Sequence, residues 1–229
     1  MTEAPYVTLS VAMSIDGHLD TVPPPRLILS NAADFDRVDE VRSQSDAILV
    51  GARTVRADNP RLLVRSEERR RRRETEGLPS SPWKVTVTAS GDLDPRAEFF
   101  SAGHGEKLVY CPESAGRDIR NRLGERATVV ELGESVTMAD LVDDLGDRGA
   151  RTLLVEGGGT VITQFLTGDL VDELQLAIAP FFVGDGRAPR LVGDGRFPWT
   201  PDRRARLIET RQVGDIAVLR YSLSERSPD

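Results

Sequence analysis

The 229-residue sequence has one cysteine, Cys111, and two histidines, His18 and His104. A lone cysteine excludes a disulfide within the chain and any multi-cysteine metal site. Neither histidine has a second ligand at metal-binding spacing, so no metal is expected and a zinc hydrolase or histidine triad has little to build on. No apolar run approaches the roughly 18 residues a membrane span needs. The N-terminal residues lack the charged-then-apolar pattern of a signal segment, so a cytoplasmic protein with no membrane partner is expected. Positive charge is in the minority: 30 Lys and Arg stand against 37 Asp and Glu, a formal net charge of −7. Such a chain has no global pull on nucleic acid, and none is expected as a partner; any bound anion must be caught locally, by backbone N–H groups or a few placed arginines. Internal repeats and linker-like stretches are also missing, so residues 1–229 read as a single domain.

What is there is an alternation of strands and helices. Residues 6–13 are apolar and β-branched, a buried strand ended by the turn signal Ser14-Ile15-Asp16-Gly17. After a loop at Pro23-Pro24-Pro25, Ser30-Asn31 caps a helix over 32–43. A strand at 46–50 closes on Gly51, and a short helical stretch through Val55 runs into Asp58-Asn59-Pro60. Strands follow at 83–88, ended by Ser90-Gly91, and at 107–111 and 128–132, with a short helix at 115–123. Met138, Leu141, Val142 and Leu145 recur at helical spacing over 138–146. A strand at 152–155, a helix at 162–170 and strands at 174–179 and 217–223 complete the chain. This order gives an α/β fold with helices on both faces of a mostly parallel central sheet and an antiparallel C-terminal edge. Residues 69–73 are five consecutive arginines flanked by Glu67, Glu68, Glu74 and Glu76. They could form a polyanion patch, but acids that offset the bases favour a solvated, charged loop insertion over 66–81. Residues 224–229 read as a flexible tail.

The strongest local signal is Glu156-Gly157-Gly158-Gly159-Thr160, set between a strand and a helix. Missing Cβ atoms let a phosphate approach the backbone, and the free N–H groups of a helix N-terminus point at it. The competing reading is a tight turn that needs positive φ; three consecutive glycines exceed what one turn requires. The spacing is neither the dinucleotide fingerprint G-x-G-x-x-G nor a Walker A loop. Three carboxylates, Asp16, Asp58 and Glu156, stand at strand or helix ends, where ligands gather in open α/β sheets. Asp16 reads as closing its own turn, and Asp58 is equally a turn residue or a ligand. Glu156 is the most suggestive, because a turn gains little from Glu.

Several blocks resemble one family. Pro5-Tyr6-Val7 with Met13-Ser14-Ile15-Asp16-Gly17, Ser45-Asp46-Ala47-Ile48-Leu49-Val50-Gly51 with Thr54-Val55, Ala57-Asp58-Asn59-Pro60-Arg61-Leu62, Leu154-Val155-Glu156-Gly157-Gly158-Gly159-Thr160, and Leu170-Val171-Asp172-Glu173-Leu174 with Ala179-Pro180 are similar to the riboflavin-biosynthesis pyrimidine reductases. These comprise the reductase half of the bifunctional deaminase–reductase and the free-standing enzymes. The resemblance implies a dihydrofolate-reductase-like three-layer fold, NADPH as cofactor and a homodimer. It also implies reduction of a ribosylamino-pyrimidine 5′-phosphate, in its uracil or its diaminopyrimidinone form, to the ribitylamino product.

Carried onto this chain, the resemblance places Ala12, Thr54, Asp58, Ser90, Gly158, Gly159, Thr160, Val161, Ile162, Thr163 and Gln164 on the cofactor. It places Arg42, Leu62, Arg65 and Glu156 on the substrate, with Asp58 and Glu156 at the reacting end. Arginine forks suit a phosphate-bearing substrate, and Arg61 is an alternative phosphate ligand; Arg53 and Ser90 are candidates for the cofactor's 2′-phosphate. Ser10 stands where the bifunctional form has Lys, and residues 28–42 look more like the free-standing enzymes. No His-x-Glu with Pro-Cys-x-x-Cys is present, so reduction without deamination is expected. Two other readings stay in view. One is a reductase of the same fold acting on a pterin-like heterocycle held by Asp34, Asp36 or Asp39 of the first helix. The other is a non-catalytic nucleotide-binding protein, which the presence of Arg42, Asp58, Arg65 and Glu156 argues against.

Overall fold

The structure is a computed structural model and describes residues 4–22 and 27–227. The loop expected at Pro23-Pro24-Pro25 lies outside the described residues. In chain order the elements are β1 (Tyr6–Ser14), α1 (Ala32–Ser43), β2 (Ala47–Gly51), α2 (Ala52–Asp58), α3 (Glu67–Thr75), β3 (Trp83–Val87), α4 (Glu98–Ser101), β4 (Lys107–Cys111), α5 (Glu113–Leu123), β5 (Thr128–Glu131), α6 (Met138–Asp147), β6 (Thr152–Gly157), α7 (Gly159–Thr167), β7 (Glu173–Ala179), β8 (Arg206–Val213) and β9 (Ile216–Ser222). The fold is a mixed, mostly parallel sheet of nine strands with an antiparallel C-terminal edge. No helix of the described residues is long and apolar enough to cross a membrane. The chain forms two compact units, and neither is a continuous piece of sequence. One comprises Asp39–Leu154 with the described residues up to Pro5; the other comprises the described residues of Tyr6–Val38 and Val155–Asp229. The chain passes from the first to the second within β6.

In the first unit, β2, β3, β4 and β5 run parallel, with Leu49 beside Val85, Thr86 beside Val109 and Tyr110 beside Val130. All five residues of β2 are buried, which is why its sequence is an unbroken apolar run rather than an alternation. Ile48, Val55, Phe99, Val109, Ile119 and Leu154 belong to one buried apolar cluster. Each such side chain is worth about 1.5–3 kcal/mol when removed from water. Lys84 of β3 is 1 % exposed and donates from Nζ to the carbonyls of Phe99 (3.1 Å) and Ala102 (2.6 Å), closing the C-terminal end of α4. Burial pushes its ammonium down to about 8.

The arginine run is not a solvated loop: residues 67–75 are the helix α3. Ser66 caps it, accepting from the Arg69 N–H, and Glu67 and Glu68 occupy its positive end. Arg69 pairs with Asp39 (2.9 Å) and Glu40, and Arg72 with Glu40 (2.8 Å). Arg71 pairs with Glu67, and Arg70 donates to the Val64 and Arg65 carbonyls. Arg73 is 1 % exposed and donates to the carbonyls of Ser43, Ser45 and Pro79 at 2.7–2.8 Å. The physical reason for the correction is that the helix is held by partners on α1 and its flanking loops, not by an apolar stripe. All five arginines have partners within the chain, in or out of solvent, which removes the basis for a polyanion patch.

In the second unit, β1 pairs in parallel with β7, so that Ala12 lies beside Ala177 and Ser14 beside Ala179. β7 pairs antiparallel with β9, and β9 with β8. Strand β8 has no counterpart in the sequence reading: most of its residues are exposed, so it carries no buried alternation. Arg220 of β9 binds Glu173 with two bonds of 2.9 Å and Glu209 at 2.7 Å, joining β7, β9 and β8 on one face. Asn31 caps α1 by accepting from the Asp34 N–H at 2.8 Å, as expected. Residues 224–227 are not a loose tail: Ser224 Oγ donates to Asp172 Oδ1 (2.6 Å) and Arg226 Nη1 to Asp172 Oδ2 (3.1 Å).

A candidate active site on a reductase fold

Helix α7 starts at Gly159, three residues earlier than the apolar pattern predicts. Glycine's poor helix propensity hides the start, but its freedom is needed just before it: Gly157 has φ +131° and Gly158 φ +77°. Any L side chain at these two positions would be strained. The N-cap is Gly158, and no side chain caps the helix. The first N–H groups of a nine-residue helix therefore meet no side-chain acceptor, and the positive end of its dipole is open to an anion. This geometry fits a diphosphate held by the turn and first helical residues, Gly158 to Gln164. Within that stretch Val161 and Ile162 have buried side chains, and the Ile162 N–H already donates to the Gly158 carbonyl (3.0 Å), so of the two only Val161 brings a backbone N–H to a ligand. Thr163 Oγ1 donates to the Gly159 carbonyl (2.7 Å) and accepts from the Gly193 N–H (2.9 Å).

Glu156 precedes the glycines as the penultimate residue of β6, and its side chain is half-buried. Ala12 lies two residues before the end of β1 and packs against the cluster of Ala177, Val213, Ile216 and Val218, which leaves its backbone as the part a ligand can use. Asp16 closes the turn after β1, as expected, and also reaches beyond it. Its carboxylate accepts from Ser14 Oγ (2.5 Å) and from the N–H groups of Val183 (3.0 Å) and Gly184 (2.7 Å), far along the chain. The Ser14 hydroxyl first, then the two N–H groups, hold this carboxyl well below the usual carboxylate range. No signal in the sequence could have shown this, because the partners lie 167 and 168 residues away.

The first unit collects the remaining residues in two groups. Arg42, in the last turn of α1, reaches the Leu63 carbonyl from Nη1 at 3.4 Å. The Leu62–Ser66 segment is pinned by Asp39, which accepts from the N–H groups of Arg65 (2.5 Å) and Ser66 (3.1 Å). Burial opposes ionisation of Asp39, but these N–H groups and Arg69 outweigh it and keep its carboxyl below its ordinary value. Arg42 and Arg65 are thus brought to one segment, with the Arg65 side chain exposed. Leu62 is 2 % exposed with φ +49°, so its side chain is core and only its backbone can meet a substrate. Arg61 is committed to Glu98 through bonds of 2.9 and 2.8 Å, which weakens its case as a phosphate ligand.

The second group surrounds α2, which carries Arg53, Thr54 and Asp58; the last two are half-buried. Asn59 ends the helix in the left-handed region at φ +44° and accepts from the Glu98 N–H at 2.7 Å. Arg56 Nη1 donates to the Asp92 carbonyl at 2.7 Å, tying the Ser90–Asp92 turn to α2. Of the three acids weighed for a pterin, Asp39 has both oxygens occupied and Asp34 is buried with Oδ1 bonded to Arg37 at 2.8 Å. Asp36 is exposed.

Comparison with known proteins places this arrangement. The model of the RibD C-terminal domain matches residues 5–219. A 2,5-diamino-6-ribosylamino-4(3H)-pyrimidinone 5′-phosphate reductase of Archaeoglobus fulgidus is 36% identical over 212 residues, 92% of this chain and 94% of its own length. The protein of the same name from Methanothermobacter thermautotrophicus is 33% identical over 222 residues, 96% of this chain and 98% of its own length. Among solved structures, a pyrimidine reductase-like protein of Corynebacterium diphtheriae superposes with a TM-score of 0.79 at 23% identity, covering 95% of this chain and 91% of that one. A deaminase/reductase of Thermotoga maritima superposes with a TM-score of 0.78 at 21% identity over 96% of this chain, which spans only 56% of its length. At these identities the two superpositions speak for the fold, and the sequence matches speak for the family. The chain belongs to the RibD C-terminal domain family, the oxidoreductases that act as pyrimidine reductases in riboflavin biosynthesis.

Proposed function

We propose that the protein is an NADPH-dependent reductase that converts 2,5-diamino-6-ribosylamino-4(3H)-pyrimidinone 5′-phosphate to its ribitylamino form. The observation that carries the cofactor half is the uncapped N-terminus of α7 behind two positive-φ glycines. Two relatives matched over nearly their whole lengths bear the diaminopyrimidinone name, which favours that substrate over the uracil form. When bound, the reduced nicotinamide supplies a hydride to C1′ of the opened sugar.

The chain's own residues then bind and orient. Gly158 to Gln164 wrap the diphosphate, with the N–H groups of Gly159, Thr160 and Val161 at the helix start donating to it, and the backbone of Ala12 lines the nicotinamide. Thr54, Asp58 and Ser90 serve the rest of the cofactor. Arg65 on the pinned Leu62–Ser66 segment and Arg42 on α1, which reaches that segment, bind the substrate phosphate, with the Leu62 backbone beside them. Asp58 and Glu156 accept hydrogen bonds from the polar groups of the ligands at the reacting end. Such a reaction depends on alignment more than on a nucleophile, which suits a site built of backbone and carboxylates. We further propose a cytoplasmic homodimer. The exposed edge strand β8, with Leu207 52% and Ile208 39% exposed, supports pairing with a second copy.

The test is turnover. Purified protein with NADPH and each of the two ribosylamino-pyrimidine phosphates should lose reduced-nicotinamide absorbance, faster with the diaminopyrimidinone. Binding of NADPH without turnover of either pyrimidine would refute the reading.

A further inference from the structure

The segment after β7 does more than return the chain to β8. Its first part is fastened to the end of β1: Ile15 N–H donates to the Phe181 carbonyl (2.9 Å), and Val183 and Gly184 N–H groups donate to the Asp16 carboxylate. Its middle forms an antiparallel bridge between His18 and Arg190, flanked by Leu19 N–H to Pro189 O (2.8 Å) and Leu191 N–H to Gly17 O (3.0 Å). His18 is 3 % exposed, with Nδ1 3.2 Å from the Ala188 carbonyl and Nε2 3.8 Å from Asp16. Ser14, fully buried, serves both sides: its Oγ donates to Asp16 and accepts from the His18 N–H at 3.0 Å.

The far part of the same segment rests on the first turn of α7. A Cβ at Gly159 would stand 3.0 Å from the Arg190 carbonyl oxygen, and Gly193 N–H binds Thr163 Oγ1. A carbonyl beside a helix N-terminus is a negative dipole end next to an anion seat. Shifted toward the helix start, it would compete for the same N–H groups and repel a phosphate.

We propose that Asp16 is a positioning residue for the cofactor: by fastening residues 181–193 to the end of β1, it holds the Arg190 carbonyl at the edge of the α7 N-terminus and leaves the diphosphate seat open. This inference rests on the reading of α7 as the cofactor seat. It goes beyond a turn-closing role, because the carboxylate accepts from Ser14 Oγ in its own turn and also from the N–H groups of Val183 and Gly184 on a distant segment.

The test compares Asp16→Asn, Ser14→Ala and Gly158→Val with the parent, reading NADPH dissociation by nicotinamide fluorescence, KM for the pyrimidine, and hydrogen exchange at Val183 and Gly184. In Asp16→Asn the loss of charge-assisted bonds should weaken NADPH about tenfold, with the pyrimidine KM unchanged and the two amides exchanging faster. Parent-like NADPH affinity in Asp16→Asn, with the amides loosened, would overturn the proposal. Should Asp16→Asn fail to fold, Ser14→Ala carries the same test: NADPH about threefold weaker supports the proposal, and unchanged affinity overturns it. Gly158→Val separates the two layers. Weakened NADPH there beside unchanged binding in Asp16→Asn sinks the positioning role alone; unchanged binding in Gly158→Val sinks the seat and the positioning role together.

Discussion

Arg73 donates three hydrogen bonds, two of them to the buried carbonyls of Ser43 and Ser45, while Arg71, two residues away, pairs with Glu67 in solvent. Truncating Arg73 to Ala leaves those carbonyls without donors, and should cost roughly 3 kcal/mol in denaturant unfolding. Arg71→Ala should change stability by less than about 0.5 kcal/mol. Five identical letters carry no mark of which one is buried, so this difference is invisible in sequence. Arg220 is similar: Arg220→Met would leave the buried Glu173 carboxylate to the Gln175 amide, and should cost about 2–3 kcal/mol. For Glu156, replacement by Gln should raise the pyrimidine KM more than the NADPH dissociation constant; equal losses would contradict its place on the substrate side. Asp16 gives a pH signature. Its folded carboxyl lies below its ordinary value of 3.8, so the stability it adds is fully present above that value and is lost as pH falls through the lower, folded one. The melting-temperature gap between parent and Asp16→Asn should therefore hold from pH 7 down to about pH 4 and close only in stronger acid.

Elements with a regular apolar pattern were legible. The strands β1, β2, β6 and β7 read as apolar runs because their faces are covered, and α6 shows Met138, Leu141, Val142 and Leu145 because one side of it is core. The elements that escaped are stabilised by pairing rather than burial. Helix α3 rests on ion pairs with Asp39 and Glu40 of α1, and β8 on the ladder to β9 with a bulge between Leu207 and Glu209. The start of α7 escaped because glycine is a poor helix former, yet this is where the site needs it. The glycine turn itself was plain in the sequence as a phosphate cradle; what lies against it was not, since the Arg190 carbonyl belongs to a segment held to Asp16 and His18 only by long-range contacts. At this scale the expectation is that Gly158→Val folds but loses NADPH affinity, measured by equilibrium binding.

For the whole molecule, the exposed large apolar side chains of the second unit include Ile15, Ile28, Phe35, Phe182, Leu207 and Ile208. If β8 pairs with a second copy, sedimentation should give a dimer, and Leu207→Asp with Ile208→Asp should give a monomer that still binds NADPH. A persistent dimer in that variant would place the interface elsewhere. The interleaving of the two units along the chain has a consequence for biosynthesis. Val7 and Asp172, joined by a hydrogen bond of 2.8 Å, are 165 residues apart, and β1 takes its parallel partner from β7. On the ribosome the nascent chain therefore exposes one of its most apolar strands long before that partner exists. Contacts of such separation slow folding and leave a sticky edge open meanwhile. That strand has its full pairing only once β7 has emerged, and a chain released before then carries an unpaired apolar edge.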